Sequence, residues 1–195
     1  MANLITLEDY KISKGLSGVT DDAKITPLLA SVSQLVRTYC GRDFTSYYST
    51  DKIEYFTIKW EEDFVQLSET PIVSITSVQE REAISESYVT LSATEYYLDI
   101  DTDSIYRVDS SGTGYQAYKK GPASVKVTYK AGYENCPVDL KLAVFDLVTY
   151  YLKDEYKQNR SIGSITVQNQ TSTTQKNSPD FPDHIKRVLD LYRIY

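Results

Sequence analysis

Residues Ser124–Tyr156 read SVKVTYKAGYENCPVDLKLAVFDLVTYYLKDEY, and the fold turns on them. Val125, Val127 and Tyr129 alternate as one face of a strand. Gly132 marks a turn, and Pro137 opens a long helix. Two apolar stripes run along that helix. Leu140, Val144, Leu147 and Tyr151 form one; Leu142, Phe145, Val148, Leu152 and Tyr156 form the other. A helix with one apolar face lies on a core, whereas one apolar nearly all round needs cover from several sides. The chain's own core can cover one stripe. The second stripe, from Leu142 to Tyr156, is expected at an interface between subunits.

Upstream, Thr6-Leu7-Glu8-Asp9-Tyr10 has a capping residue and acids suited to a short helix start. Thr20-Asp21-Asp22 opens a long helix whose apolar positions are Ile25, Leu28, Leu29, Val32, Leu35, Val36 and Tyr39; Gly41 ends it. Pro27 is tolerable near the first turn and kinks the helix if it lies deeper. From about residue 47 to 129 the helical period gives way to β-branched and aromatic residues. Six strands are expected, around 52–58, 64–67, 71–78, 96–100, 104–108 and the run through Tyr129. Residues 96–108 pair as a hairpin about Asp101-Thr102-Asp103, and Val73 and Ile75 should face away from Ile72. The fold class is therefore α+β: a helical core from 1–46 and 130–195, with an antiparallel β lobe inserted over 47–129. Asn159 to Pro179 is polar and reads as a flexible segment, or one that orders on binding. Pro182 and Asp183 start a last helix with Ile185, Val188, Leu189 and Tyr192 on its apolar face.

Composition narrows the function. The 195 residues carry 21 basic and 27 acidic side chains, for a net charge of −6. A nucleic-acid binder normally presents a basic face, so gripping DNA or RNA is disfavoured. Lys119, Lys120, Lys126 and Lys130, and again Lys153, Lys157 and Arg160, make modest basic groups. They read as solvated surface or as a site for an acidic partner. Tyr, at 18 residues, suits both strands and interfaces. The N-terminus lacks a signal-peptide core, and no run nears the roughly 20 apolar residues that span a bilayer. A cytoplasmic origin follows as an expectation, with Cys40 and Cys136 reduced and buried.

No constellation carries chemistry. Asp99-Ile100-Asp101-Thr102-Asp103 starts like a calcium loop, but Ser104 and Ser110 stand where Gly and Glu are needed. His184, the single histidine, has no cysteine or carboxylate at zinc-ligand spacing. Gly112-Thr113-Gly114 lacks the third glycine of a dinucleotide fingerprint, and no Gly-Lys-Ser/Thr follows Gly121-Pro122. No catalytic, metal or cofactor residue is expected.

Four stretches in order resemble the head–tail connector, or adaptor, proteins of tailed bacteriophages and prophages. They are Ile5–Tyr10; Leu35–Phe44; Val127–Tyr133 followed by Pro137 and Asp139–Ala143; and Phe181–Arg193. Compact members of that family are mainly helical, and longer ones carry a strand lobe like this one. The resemblance implies a structural virion protein made in the host cytoplasm. It implies a homo-oligomeric ring, commonly twelve-fold, beneath the portal after DNA packaging. Such a ring extends the DNA channel without specific DNA binding and presents a surface to the stopper or tail. The second stripe would supply the subunit contact, since a head-to-tail ring needs two different patches. Ile162, Ile165 and Val167 of the polar segment, or Arg187, Tyr192 and Tyr195 of the last helix, would reach the portal. Two other readings stay open. One is a different neck or tail-completion protein. The other is a carbohydrate- or peptide-binding module using the β lobe, with Trp60, Tyr47 and Tyr48 as candidates.

Overall fold

The computed structural model describes residues 3–155, 159–162, 165–168 and 181–194. Over the described residues it is an α+β chain of four helices and antiparallel sheets. In order these are α1 (Leu7–Lys14), α2 (Asp22–Cys40), β1 (Lys52–Ile58), β2 (Phe64–Gln66), β3 (Ile72–Glu80), β4 (Val89–Thr90), β5 (Tyr96–Asp99), β6 (Ser104–Arg107), β7 (Gly121–Ala131), α3 (Val138–Leu152), β8 (Asn159–Ile162), β9 (Ile165–Gln168) and α4 (Asp183–Leu191). The chain divides into two compact units, Met1–Arg42 with Cys136–Tyr195, and Asp43–Asn135.

In the helical unit, α3 packs on both α2 and α4. Ile25, Leu29, Val32 and Val36 on α2 are buried, as are Leu140, Val144, Leu147 and Val148 on α3, and Ile185 and Leu189 on α4. Gly41 closes α2 at φ 72°, and its N–H donates to the Arg37 carbonyl at 2.8 Å. Pro27 lies inside α2, beyond the first turn, and the helix continues past it to Cys40. Pro182 precedes α4 as its cap residue. The ends of α4 and α2 are tied together. Tyr39 donates to Asp190 at 2.5 Å, and its ring meets Phe181 edge-on with centroids 5.1 Å apart. Cys40 and Cys136 are free and buried, as expected of small apolar side chains. Burial pushes both thiols up to about 12, so neither is a nucleophile at neutral pH.

The β unit holds two sheets where one was expected. β7 is the spine of the first, ordered β1-β7-β3-β4; the second is ordered β2-β6-β5. Val125, Val127, Tyr129 and Ala131 face one core, joined by Val65 and Ile105 from the second sheet. The 96–107 hairpin forms as read from the sequence, with Asp99 opposite Ser104. β3 departs from simple alternation. Its pairing with β7 slips between Ile72 and Ser74, so Ile72 and Ile75 both pack on the core while Val73 is exposed. Strict alternation would instead place Val73 and Ile75 together, opposite Ile72.

Where the β unit begins, a charged cluster is buried. Glu69 accepts the Asp43 N–H at 3.1 and 3.2 Å through its two oxygens, and Lys52 lies 3.4 Å from it. Lys52 also pairs with Glu54 at 2.7 Å, and Glu54 accepts the Ser68 hydroxyl. The Glu69 N–H donates to the Tyr129 hydroxyl at 3.2 Å. Burial raises the Glu69 carboxyl above its ordinary value, against the opposing pull of Lys52.

The segment read as flexible contains an antiparallel pair, Asn159–Ile162 with Ile165–Gln168, closing on Ile162 opposite Ile165. Two residues separate Ile162 from Ile165 in the sequence, a spacing that favours tight hairpins and that the polar composition obscured.

Candidate functional site

The candidate surface lies on the helical unit and is built from α1 and α3. Thr6 caps α1: its hydroxyl accepts the Asp9 N–H at 3.0 Å, while the Asp9 carboxylate accepts the Thr6 N–H at 3.3 Å. Hydrogen bonding of Thr6 to the carboxylate, from side chain and backbone, holds the Asp9 carboxyl below its usual value. The capped helix is fixed on both sides. Lys11 bonds both oxygens of Asp22 at 3.0 Å, and Lys14 bonds Asp146 at 3.0 Å. Buried Tyr10 lies 6.3 Å from the Phe145 ring, and its hydroxyl is 3.1 Å from that of Thr149.

α1 therefore covers the middle of the outer side of α3 and leaves its start bare. Val138 is 84% exposed and Leu142 is 59% exposed. Val138, Leu142 and Phe145 fall on one line at about 100° per residue, opposite the buried Leu140–Leu147 side. Ile12 on α1 is 73% exposed. These apolar side chains are the open part of the α1 and α3 surfaces.

Of the residues expected at the subunit contact, Leu142 is open, and Phe145 and Leu152 are half-buried. Val148 is a correction: it is wholly buried. It stands about 40° from Val144 around the helix, so it belongs to the inner face. Tyr156 lies outside the described residues. Of the residues expected at the portal, Ile162, Ile165 and Val167 fall on β8 and β9. Arg187 is exposed on α4; Tyr192 is half-buried and donates to Asp139 at 2.7 Å; Tyr195 lies outside the described residues.

Among the described residues, no three His, Cys, Asp or Glu side chains gather as a metal site. No described helix is long and apolar enough to cross a membrane. His184 is exposed. Trp60 is 76% exposed, and Tyr47 and Tyr48 are half-buried, Tyr47 with Lys52 5.4 Å from its ring centre. The sequence reading missed a row of rings on the second sheet. Phe64 lies opposite Tyr106, and Tyr106 opposite Tyr97. The last pair follows only from the register, which centres the hairpin between Asp101 and Thr102 rather than on Thr102.

A model of the head completion protein family matches residues 3–195. The head completion protein of Escherichia phage T5 is 26% identical over 192 residues, covering 97% of this chain and 98% of that protein. Among solved structures, a chain from the neck of an empty gene transfer agent particle, computed with C6 symmetry, matches with a TM-score of 0.60 at 14% identity. That match covers 98% of this chain and 90% of the other, so the shared fold includes the β unit. A chain from the neck of the native particle, computed with C12 symmetry, matches with a TM-score of 0.55 at 14% identity, covering 92% and 93%. The resemblance to phage head–tail connectors is borne out: the chain is a structural protein rather than an enzyme, and it belongs to the head completion protein family.

Proposed function

We propose that this protein forms a ring in the neck of a phage-like virion and docks beneath the portal. There it extends the DNA channel and offers a surface to the stopper or tail. The observation that carries the reading is the bare apolar line of Val138 and Leu142 on α3, opposite that helix's own buried face. Two faces on one helix suit a cyclic head-to-tail contact, in which each subunit gives one patch and receives another. The C6 and C12 neck assemblies that share the fold support a ring. The net charge of −6 suits a lumen through which DNA slides without being held. Leu142, Phe145 and Leu152 are the proposed subunit contacts, and β8–β9 or α4 the proposed portal contact. The rival within the same assembly is a tail-completion role, in which the protein binds only an already capped connector.

The test is negative-stain microscopy with light scattering, on the protein alone and mixed with its portal. Rings, or a disc stacked on the portal, are expected. A monomer that ignores the portal but joins a capped connector would move the protein one place down the neck.

A further inference from the structure

The outer side of the β2–β6–β5 sheet carries a second surface whose chemistry differs from that of the helices. Phe64, Tyr106 and Tyr97 stand side by side across the three strands, and Tyr115 joins them. Ring centroids lie 5.5 Å apart for Phe64 and Tyr106, and 5.3 Å for Tyr106 and Tyr115. Phe64 is 46% exposed, Tyr97 56% and Tyr115 67%. Val65 and Ile105, on the inner side of the same strands, are buried in the core. The period of two therefore commits the rings to the outside.

Charge says what fits there. Residues 60–66 and 94–115 carry eight carboxylates and one cation, Arg107. Arg107 is buried, 3.5 Å from Glu80 and 3.4 Å from Glu95, so it offsets Glu95 and leaves the other seven carboxylates. Asp99 follows Tyr97 on the same side of β5. Lys120 at the margin is matched by Glu61 at 3.3 Å. At the Phe64 end opens a cleft of about 220 Å³, bordered by Phe56, Glu62, Phe64 and Gln66.

A guanidinium stacks flat on an aromatic ring while its edge forks to a carboxylate. The protein uses the stacking itself: Arg81 lies 4.6 Å from the centre of the Tyr88 ring. Rings alone could equally serve a glycan, but the surrounding carboxylates favour a cation and repel nucleic acid. We propose that the aromatic face of the β2–β6–β5 sheet docks an arginine-bearing basic segment of a partner protein. This site lies within the β unit and does not depend on the ring reading.

The test titrates the full chain into a fluorescein-labelled peptide of alternating arginine and glycine and reads anisotropy. The same peptide with citrulline replacing arginine, and a labelled chitin oligosaccharide, serve as comparisons. Saturable binding of the arginine peptide is expected. It should weaken about tenfold or more with citrulline, at about 0.5 M salt, and in a Tyr97→Ala/Tyr115→Ala variant. Both substitutions are at exposed positions, so the melting temperature should hold. Tyr97→Phe should keep the binding. Failure to saturate by about 1 mM peptide, equal binding of citrulline, or equal binding by the double variant would overturn the proposal. So would binding of the oligosaccharide alone, or self-association that the double variant abolishes, which would assign the face to a second copy.

Discussion

At the scale of residues, Leu142 and Val148 are six positions apart on α3, which places them about 120° apart around the helix. One is 59% exposed and the other wholly buried. Val148→Ala should cost about 2 kcal/mol of unfolding free energy, the lost methyl burial plus the cavity left behind. Leu142→Asp should change stability by less than about 0.5 kcal/mol but abolish self-assembly. Urea denaturation of the monomer and light scattering separate the two effects. Gly132 is constrained in another way. Its φ is 96°, and an added Cβ would sit 2.2 Å from the Phe44 carbonyl oxygen. Gly132→Ala should therefore lose at least about 3 kcal/mol by the same urea measurement. Glu69 makes a prediction about pH. Its carboxyl is raised above the ordinary 4.5 by burial. The folded state then holds the proton more tightly than the unfolded state. The stabilisation this gives is complete below pH 4.5 and is lost as pH rises through the raised value. The stability of the wild type minus that of Glu69→Gln should fall on going up from about pH 4.5. A difference that grows with pH would mean that Lys52, not burial, governs this carboxyl.

At the scale of elements, long periodic stretches were legible and local departures were not. α2 and α3 could be read because apolar residues recur at helical spacing over many turns. The 96–107 hairpin could be read because its acidic turn lies between two β-rich runs. The bulge at Val73 could not be read, because the slip is imposed by pairing with β7, far along the chain. β4 is two residues long, Val89 and Thr90, and is defined only by its bond to the end of β3. Val148 was misassigned because a helix apolar all round has no boundary in its sequence between inner and outer faces; the neighbours decide. On the outer side of α3, α1 is such a neighbour, and its cap makes it testable. Thr6→Ala removes the hydroxyl that accepts the Asp9 N–H and should cost about 1 kcal/mol. Hydrogen exchange should then quicken first at the amides of α1, not uniformly. Uniform quickening would mean that α1 opens only with the whole unit.

At the scale of the whole molecule, some parts of the chain serve its own core and others stay open to a partner. α4 is kept: Ile185 and Leu189 are buried, and the Ile194 N–H donates to the Cys40 carbonyl at 3.1 Å. Removing everything after Asn159 would expose that core, and loss of portal binding in such a truncation would reflect damage to the fold. A cleaner variant replaces residues 159–178 with a Gly/Ser linker of equal length and keeps α4. The proposed portal contact through β8–β9 requires this variant to melt within a few degrees of the wild type, since α2, α3 and α4 still cover one another. It requires ring formation to persist if the α3 surface alone makes the subunit contact. It also requires the stacked portal complex to disappear from negative-stain images. Retained portal binding would shift the contact to α4, where Arg187 is exposed and Tyr192 is anchored on Asp139. Arg187→Glu in the linker variant would then be the substitution expected to release the portal, because the reversed charge acts at an exposed position and leaves Ile185 and Leu189 buried.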